Sequence, residues 1–329
     1  MNPKLEKVLI VFSIVLIVYN VGFGEFSIHP GAKLKIKDDE NNGPKMLKTD
    51  IIYTNKRETP PIVNEEYKVI FFHVAKAASS EWIRFFTRLN GNPAWCGPDI
   101  HNNTVNNIKR LNDYTLKEAE RMMKDPTWTK AIFVRNPKTR LLSAYLDKVL
   151  SHPKHFKEAY CHSYMKNGGI LEDCWENYLN FDFFIHNITT ISWKNVHWRP
   201  IITRIDEKWW PYINYIRNME NLSHDAKDFL QHLKSSKDGI SAWDRIGRIG
   251  WSDNERDCNT MGTKSFLQKK DHKHAQNAGD KLKQHYTPEL EKFVEQQYWK
   301  DYHNPYFKFS PLKIFDNEAK EANTSNEIE

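Results

Sequence analysis

The pattern of apolar and polar positions divides the chain into strands, helices and connecting segments. Val69 to Val74 is a short apolar run that ends in a loop of small residues around one lysine, Lys76-Ala77-Ala78-Ser79-Ser80. Trp82, Phe85, Phe86 and Leu89 then recur at helical spacing, so Tyr67 to Leu89 reads as strand, tight loop and helix. Asn90 to Asn107, rich in Asn, Gly and Pro, reads as loop, and Leu116, Ala119, Met122 and Met123 mark a helix over Thr115 to Lys124. A second apolar strand, Lys130 to Val134, runs directly into Arg135-Asn136-Pro137. There Asn136 is a good N-cap and Pro137 a good first helical residue. The helix that follows carries Leu142, Tyr145, Leu146 and Val149 on one face and Arg140, Ser143 and Asp147 on another. Further on, the pattern predicts a helix from Cys174 to Phe184, a strand from Tyr212 to Arg217 and a helix from a Ser223 cap to Leu233. A last helix opens at Thr287-Pro288, with Leu290, Phe293, Val294 and Tyr298 on one side. Strands alternating with helices predict an α/β domain, a parallel sheet flanked by helices on both faces. Ligands of such sheets bind beyond the carboxyl ends of the strands, and Lys76 and Arg135 both sit at that edge.

The flanks have a different character. Val8 to Phe23 is apolar apart from Ser13 and Asn20, and Lys4 and Lys7 precede it. It suits a signal-anchor or the core of a cleavable signal peptide, and the absence of a good A-x-A site after it favours the anchor. The positive charge before it places residues 1–7 in the cytosol and the rest in the lumen. Residues 24–66 are polar, with Pro60-Pro61 near their end, and read as a stem; 67–309 form a single luminal domain; 310–329 are an acidic, polar, disordered tail. Four N-x-S/T sequons, at Asn102, Asn187, Asn221 and Asn323, agree with a secretory route. So do four cysteines, Cys96, Cys161, Cys174 and Cys258. These allow three pairings, of which Cys161 with Cys174 closes a short loop through Gly168-Gly169. Neither CxxC nor HExxH occurs, so no metal is expected.

Composition narrows the function classes. At 329 residues and 40% hydrophobic content the chain can build one large core. The net charge of +6 fits an anionic cofactor or substrate but is too small to argue for nucleic acid. Thirteen per cent aromatic residues, with eleven Trp, fits carbohydrate handling as well as an aromatic core. At the helix start after Lys76, free backbone N–H groups and the helix dipole suit a phosphate, and the small side chains let an anion approach. GxxxxGK[ST] is absent, as is a Mg²⁺ carboxylate, which argues against a nucleotide kinase. No D-x-D lies beside an apolar strand, which argues against a metal-dependent glycosyltransferase.

Two segments carry a family resemblance. Arg135, Pro137, Arg140, Ser143, Ala144 and Tyr145 fill the pattern R-x-P-x-x-R-x-x-S-A-Y, and Lys76, Ala78, Ser80 and Trp82 match P-K-x-A-x-[ST]-x-W, with Ala75 where proline is usual. Asn195 to Pro200, Tyr212 to Leu233 and His274 to Tyr302 extend the likeness over most of Tyr67 to Phe309. The chain resembles the Golgi carbohydrate sulfotransferases of the chondroitin 4-O and HNK-1 branch, which use 3′-phosphoadenosine 5′-phosphosulfate (PAPS). The resemblance implies their P-loop-like fold, PAPS as co-substrate and no metal. It implies that Lys76, Ala77, Ala78, Ser79, Ser80 and Glu81 hold the 5′-phosphosulfate, that Arg135 and Ser143 hold the 3′-phosphate, and that His274 or a nearby lysine closes over the nucleotide. Arg140 is expected at the nucleotide or against a carboxylate such as Asp147. Lys76 is the expected catalytic cation, and His197, beside Trp198 as a sugar platform, the expected general base; His101 and Glu81 are further base candidates. The implied acceptor is a glycan, GalNAc 4-O of chondroitin or dermatan, with a Golgi-membrane, type II location. The alternative is an inactive relative that binds glycans in the lumen.

Overall fold

In the computed structural model of the chain, the residues described are 59–251, 262–268, 278–309 and 312–315. The segment expected as an anchor, residues 8–23, lies outside them, as do Cys258, His274 and residues 316–329. Among the described residues no helix is long and apolar enough to cross a membrane.

The principal elements are β1 (Ile62–Asn64), β2 (Val69–Phe72), α1 (Ser79–Leu89), α2 (Leu116–Lys124), β3 (Thr129–Val134), α3 (Pro137–Ala144), β4 (Tyr215–Asn218), α4 (Leu222–His232) and α5 (Pro288–Gln297). The strands form one sheet in the order β1-β2-β3-β4. β2, β3 and β4 are parallel, with Val69 opposite Thr129 and Ala131 opposite Tyr215. β1 pairs antiparallel with β2, Ile62 opposite Phe71. The expected parallel sheet therefore gains an antiparallel edge, and the sheet begins before the expected boundary at Tyr67. Three residues after Pro60-Pro61 are too few to show a period, which is why this strand reads as stem in the sequence.

Both faces of the sheet are covered, which explains strands that are apolar throughout rather than alternating. Ile70, Phe72, Ile132 and Val134 pack with Ala119, Met122 and Met123 of α2. Phe71, Ala131 and Phe133 pack with Trp82, Phe85 and Phe86 of α1 and with Phe229 of α4. The Trp82 ring sits 4.7 Å from Phe71 and 4.8 Å from Phe133, centroid to centroid. α2 starts at a capping box in which Thr115 and Glu118 satisfy each other's amides.

A further core lies beyond the sheet edge, where Leu142, Tyr145 and Val149 meet Phe184, Trp198, Leu290, Val294 and Tyr298. α3 begins as expected, with Asn136 Oδ1 accepting from Lys138 N at 3.0 Å and Pro137 in the first turn. It runs on into a wide π turn, Tyr145–Leu150. The buried Lys138 binds α5 to α3: its Nζ donates to Glu291, to Glu295 at 2.7 Å and to the Leu312 carbonyl at 2.6 Å.

Cys161 and Cys174 form the expected disulfide; Cys96 is also disulfide-bonded. The helix expected from Cys174 to Phe184 is instead broken. One helix covers Leu171–Asn177, and another starts at Phe181, capped by Asn180 Oδ1 on Phe183 N at 3.1 Å. Ser223 is not the cap of α4. Its hydroxyl donates to the Leu267 carbonyl at 2.5 Å, and Asn221 holds the N-cap position without a side-chain bond.

Candidate active site

The loop after β2 is built to receive an anion. The amides of Ser79, Ser80 and Glu81 lie in the first turn of α1, where helix geometry supplies no acceptor, and the N-cap residue, Ala78, offers no side-chain oxygen. Lys76 and Ala78 both adopt left-handed backbone, with φ of 67° and 57°. Such residues, interleaved with right-handed ones, curl successive N–H groups toward one point and form an anion nest. With a Cβ present that conformation is costly, so something must hold it. Two arginines do. Arg140 Nε donates to the Ala75 carbonyl at 3.1 Å, and Arg135 Nη1 donates to the Lys76 carbonyl at 2.9 Å. The stiffness that a proline at position 75 would bring is supplied here by these two bonds.

Arg135 leaves the end of β3 half-buried, with Nε donating to Thr139 Oγ1 at 3.2 Å. Its Nη2 makes no hydrogen bond among the described residues, which leaves an edge of the guanidinium for a phosphate. Burial brings its pKa down to about 10, opposed by Glu220, so it stays cationic at neutral pH. Ser143, on the same helix, is buried at 4% exposure. The charge of Arg140 acts on the buried Asp301 carboxyl, and Arg140 also acts structurally. It is 1% exposed, and besides Ala75 it donates to the carbonyls of Arg199 (2.6 Å) and Val196 (2.9 Å). It therefore ties the loop after β2 to the segment that carries His197. Beyond the carboxyl end of β4, a pocket of about 240 Å³ is lined by Arg217, Asn218, Glu220 and Lys308 among others.

The wide turn after α3 brings two further groups to the loop. Asp147 Oδ2 lies 3.1 Å from Lys76 Nζ and 3.0 Å from Lys148 Nζ. Burial lowers the Lys76 pKa, and Asp147 opposes that shift. Burial would raise the Asp147 carboxyl, but Lys76 and Lys148 outweigh it and hold it below the usual range. His197 belongs to the same constellation. Burial pushes its pKa down to about 3, with Lys148, Lys76 and Arg140 adding to the effect and Asp147 opposing it.

The tautomer of His197 follows from its partner. Asn195 Oδ1 accepts the His197 backbone amide at 3.0 Å and lies 2.9 Å from His197 Nδ1, while Asn195 Nδ2 donates to the Tyr160 hydroxyl at 2.6 Å. A backbone amide only donates, so this Asn atom is the oxygen, and Nδ1 must carry the proton. Nε2 keeps its lone pair. On the other side of the loop, Ser80 Oγ and His101 Nε2 are 2.9 Å apart. His101 has its pKa lowered by burial and by Arg84, Lys148 and Arg110. Glu81 is half-buried in the first turn of α1.

Trp198 is not a sugar platform. It is 0% exposed, 5.6 Å from the Tyr160 ring and 5.4 Å from that of Phe184, with Nε1 donating to the Ser192 carbonyl at 3.1 Å. His224, Asp225 and Asp228 at the start of α4 are the described residues with metal-ligand spacing; they are surface charges one turn apart, away from this loop.

Two strand ends, each feeding a helix and joined through Arg135 and Lys76, set this site. Residues 60–310 match the description "Sulfotransferase family". The chain belongs to the sulfotransferase family. Among relatives of this sulfotransferase, carbohydrate sulfotransferase 9 of Homo sapiens is 31% identical over 195 residues, 54% of this chain and 41% of that protein. Carbohydrate sulfotransferase 11 of Rattus norvegicus is 32% identical over 112 residues, 33% of this chain and 29% of that protein. Carbohydrate sulfotransferase 8 of Homo sapiens is 26% identical over 186 residues, 53% and 43%. The chain thus spans less than half the length of each of these relatives. No solved structure matches it.

Sequence reasoning named Lys76, Ser80, Arg135 and His197 as site candidates but missed the groups that hold them. Asp147 and Lys148 follow the S-A-Y of the second motif after one residue, Leu146, and Asn195 precedes His197 by two residues. That closeness was the available signal. Neighbouring residues on an α-helix diverge, and Asp147 and Lys148 both lie in the π turn Tyr145–Leu150.

Proposed function

We propose that this sulfotransferase moves the sulfuryl group of PAPS onto a sugar hydroxyl of a glycan. The reading is supported by one observation: Arg135 binds the loop that carries Lys76 and leads into the first-turn amides of α1, and Arg140 ties the same loop to the segment that carries His197. The nest and Lys76 suit a 5′-phosphosulfate, and the Nη2 edge of Arg135 with Ser143 suits a 3′-phosphate, so the residues fit the nucleotide. When bound, PAPS supplies an activated sulfuryl group on a phosphate leaving group.

The protein's part is then electrostatic and positional. Lys76 leaves Asp147 and meets the charge that grows on the bridging oxygen as the sulfur–oxygen bond breaks and its electron pair goes to the phosphate. Asn195 fixes the His197 ring so that Nε2 takes the acceptor's proton as the new oxygen–sulfur bond forms. His197 is neutral before the nucleotide binds. An anionic ligand offsets the charges of Lys76 and Lys148, which raises its basicity toward the range a general base needs. The acceptor we favour is GalNAc 4-O of chondroitin or dermatan, in keeping with the motifs and the basic excess. The location is the Golgi lumen, behind an anchor at residues 8–23.

The test is a melting curve of the full chain, made in a secretory host, with and without 3′-phosphoadenosine 5′-phosphate (PAP) and with ATP as control. Ligand at ~100 times its dissociation constant adds about 2.7 kcal/mol, a shift of several degrees. A PAP shift selective over ATP, together with sulfate transfer to desulfated chondroitin, supports the reading. A well-folded chain that PAP does not stabilise overturns it. PAP binding without transfer to any glycan indicates an inactive, glycan-binding relative.

A further inference from the structure

We propose that Lys148 is a second catalytic cation, which binds the oxygens of the sulfuryl group on the side from which the acceptor approaches. The inference rests on the sulfuryl-transfer reading above and deepens it.

Asp147 Oδ2 stands between two ammonium groups, at 3.1 Å from Lys76 and 3.0 Å from Lys148. One carboxylate cannot neutralise both, so a positive charge remains at the mouth of the loop. The two lysines are not equivalent. The Lys76 side chain is 16% exposed, against 39% for Lys148, which makes Lys76 the inner cation and Lys148 the outer one. The charge of Lys148 is also among the causes that lower the pKa of His101, which is bonded to Ser80, and of His197.

The chemistry requires a cation in that place. In transfer, negative charge sits on the three sulfuryl oxygens as well as on the leaving phosphate. Lys76 and the α1 amides serve the phosphate side. On the acceptor side His197 presents a lone pair, which cannot donate. Lys148, the more exposed of the two cations on Asp147, is placed to meet the sulfuryl oxygens there. The pair is more than two sequence neighbours meeting at the surface: the Asp147 oxygen that holds Lys148 also holds Lys76 of the loop after β2, and Asp147 and Lys148 both lie in the wide turn Tyr145–Leu150.

PAP and PAPS differ by the sulfuryl group alone, so their affinities isolate the contact. Calorimetric titration of the full chain with each, without acceptor, should show that Lys148→Met weakens PAPS binding about tenfold more than PAP binding, a difference the size of one charged hydrogen bond; equal weakening of both overturns the assignment. Retained PAP binding also shows that the variant is folded. Lys148→Arg, which keeps the charge, should restore most of the PAPS affinity. Turnover of Lys148→Met should fall by about 10²-fold, as when one oxyanion donor is lost. If wild type binds both nucleotides and Lys148→Met binds PAPS as wild type does, the Lys148 assignment alone is overturned. If wild type binds neither, the sulfuryl-transfer reading falls and takes this assignment with it.

Discussion

The guanidinium of Arg135, at the end of β3, donates to the carbonyl of Lys76, in the loop after β2, at 2.9 Å. One side chain of the second motif thus holds the backbone of the first, while its Nη2 makes no hydrogen bond among the described residues. Lysine at 135 keeps the charge but cannot serve both, because it lacks the planar fork. Arg135→Lys should therefore lower PAP affinity about 10- to 100-fold, the range for losing hydrogen bonds to a charged partner. Calorimetry checks this, and an unchanged dissociation constant would remove Arg135 from the nucleotide site.

His197 yields a pH prediction. Its pKa is down to about 3 in the free protein because of burial and of Lys148, Lys76 and Arg140. A bound anionic nucleotide offsets those cations, so the pKa rises in the complex. The acid limb of kcat, which reports the complex, should lie at higher pH than that of kcat/KM, which reports the free enzyme. His197→Gln should abolish the limb and most turnover while PAP affinity holds. The same shift bears on folding. Between about pH 3 and the ordinary histidine value near 6.5, the unfolded chain binds the proton and the native chain does not. The contribution of this residue to stability therefore rises with pH through that window and is complete above it. Acid unfolding of wild type and His197→Gln, compared by circular dichroism, measures the difference.

Trp198 supports the core, not the acceptor. Trp198→Ala should cost about 3–5 kcal/mol, as for other fully buried large aromatics, and lower the melting temperature accordingly. Trp198→Phe, which fills much of the volume, should leave the acceptor KM near wild type. A large rise in KM with a normal melting temperature would reinstate a sugar contact.

The Cys161–Cys174 bridge closes a loop with a sequence separation of 13. Chain-entropy arguments assign a loop of that size about 3 kcal/mol. The double variant Cys161→Ser/Cys174→Ser should melt several degrees lower and bind PAP as before, since neither cysteine belongs to the loop after β2. A loss of PAP affinity at low temperature would show that the bridge shapes the site itself.

Much of this was legible in the sequence because the strongest signals are local. An apolar run that breaks into Lys76-Ala77-Ala78-Ser79-Ser80, and a second that breaks into Arg135-Asn136-Pro137, announce strand ends and helix starts by composition alone. What escaped depends on tertiary geometry. Ile62–Asn64 is too short to carry a period. Trp198 is apolar in either role, and only packing shows that it is enclosed. Arg140 fits a nucleotide-binding motif, yet its donors also reach three carbonyls from two separate segments, Ala75 in the loop after β2 and Val196 and Arg199 beside His197. Asp147 and Lys148 reach Lys76 through a change of helical pitch that side-chain periodicity does not foretell.

The left-handed residues Lys76 and Ala78 have one more consequence. A glycine-rich phosphate loop is shaped in part by its ligand, whereas this loop is shaped by the fold, through the bonds from Arg135 and Arg140. Its shape is thus only as durable as two arginine–carbonyl contacts. When heat or mutation loosens the third core, where α3 is anchored, those contacts go first and the loop relaxes to ordinary backbone. On the nucleotide reading proposed above, PAP affinity should then fade while most of the sheet and its helices still stand, and binding measured on heating should be lost at a lower temperature than the fold.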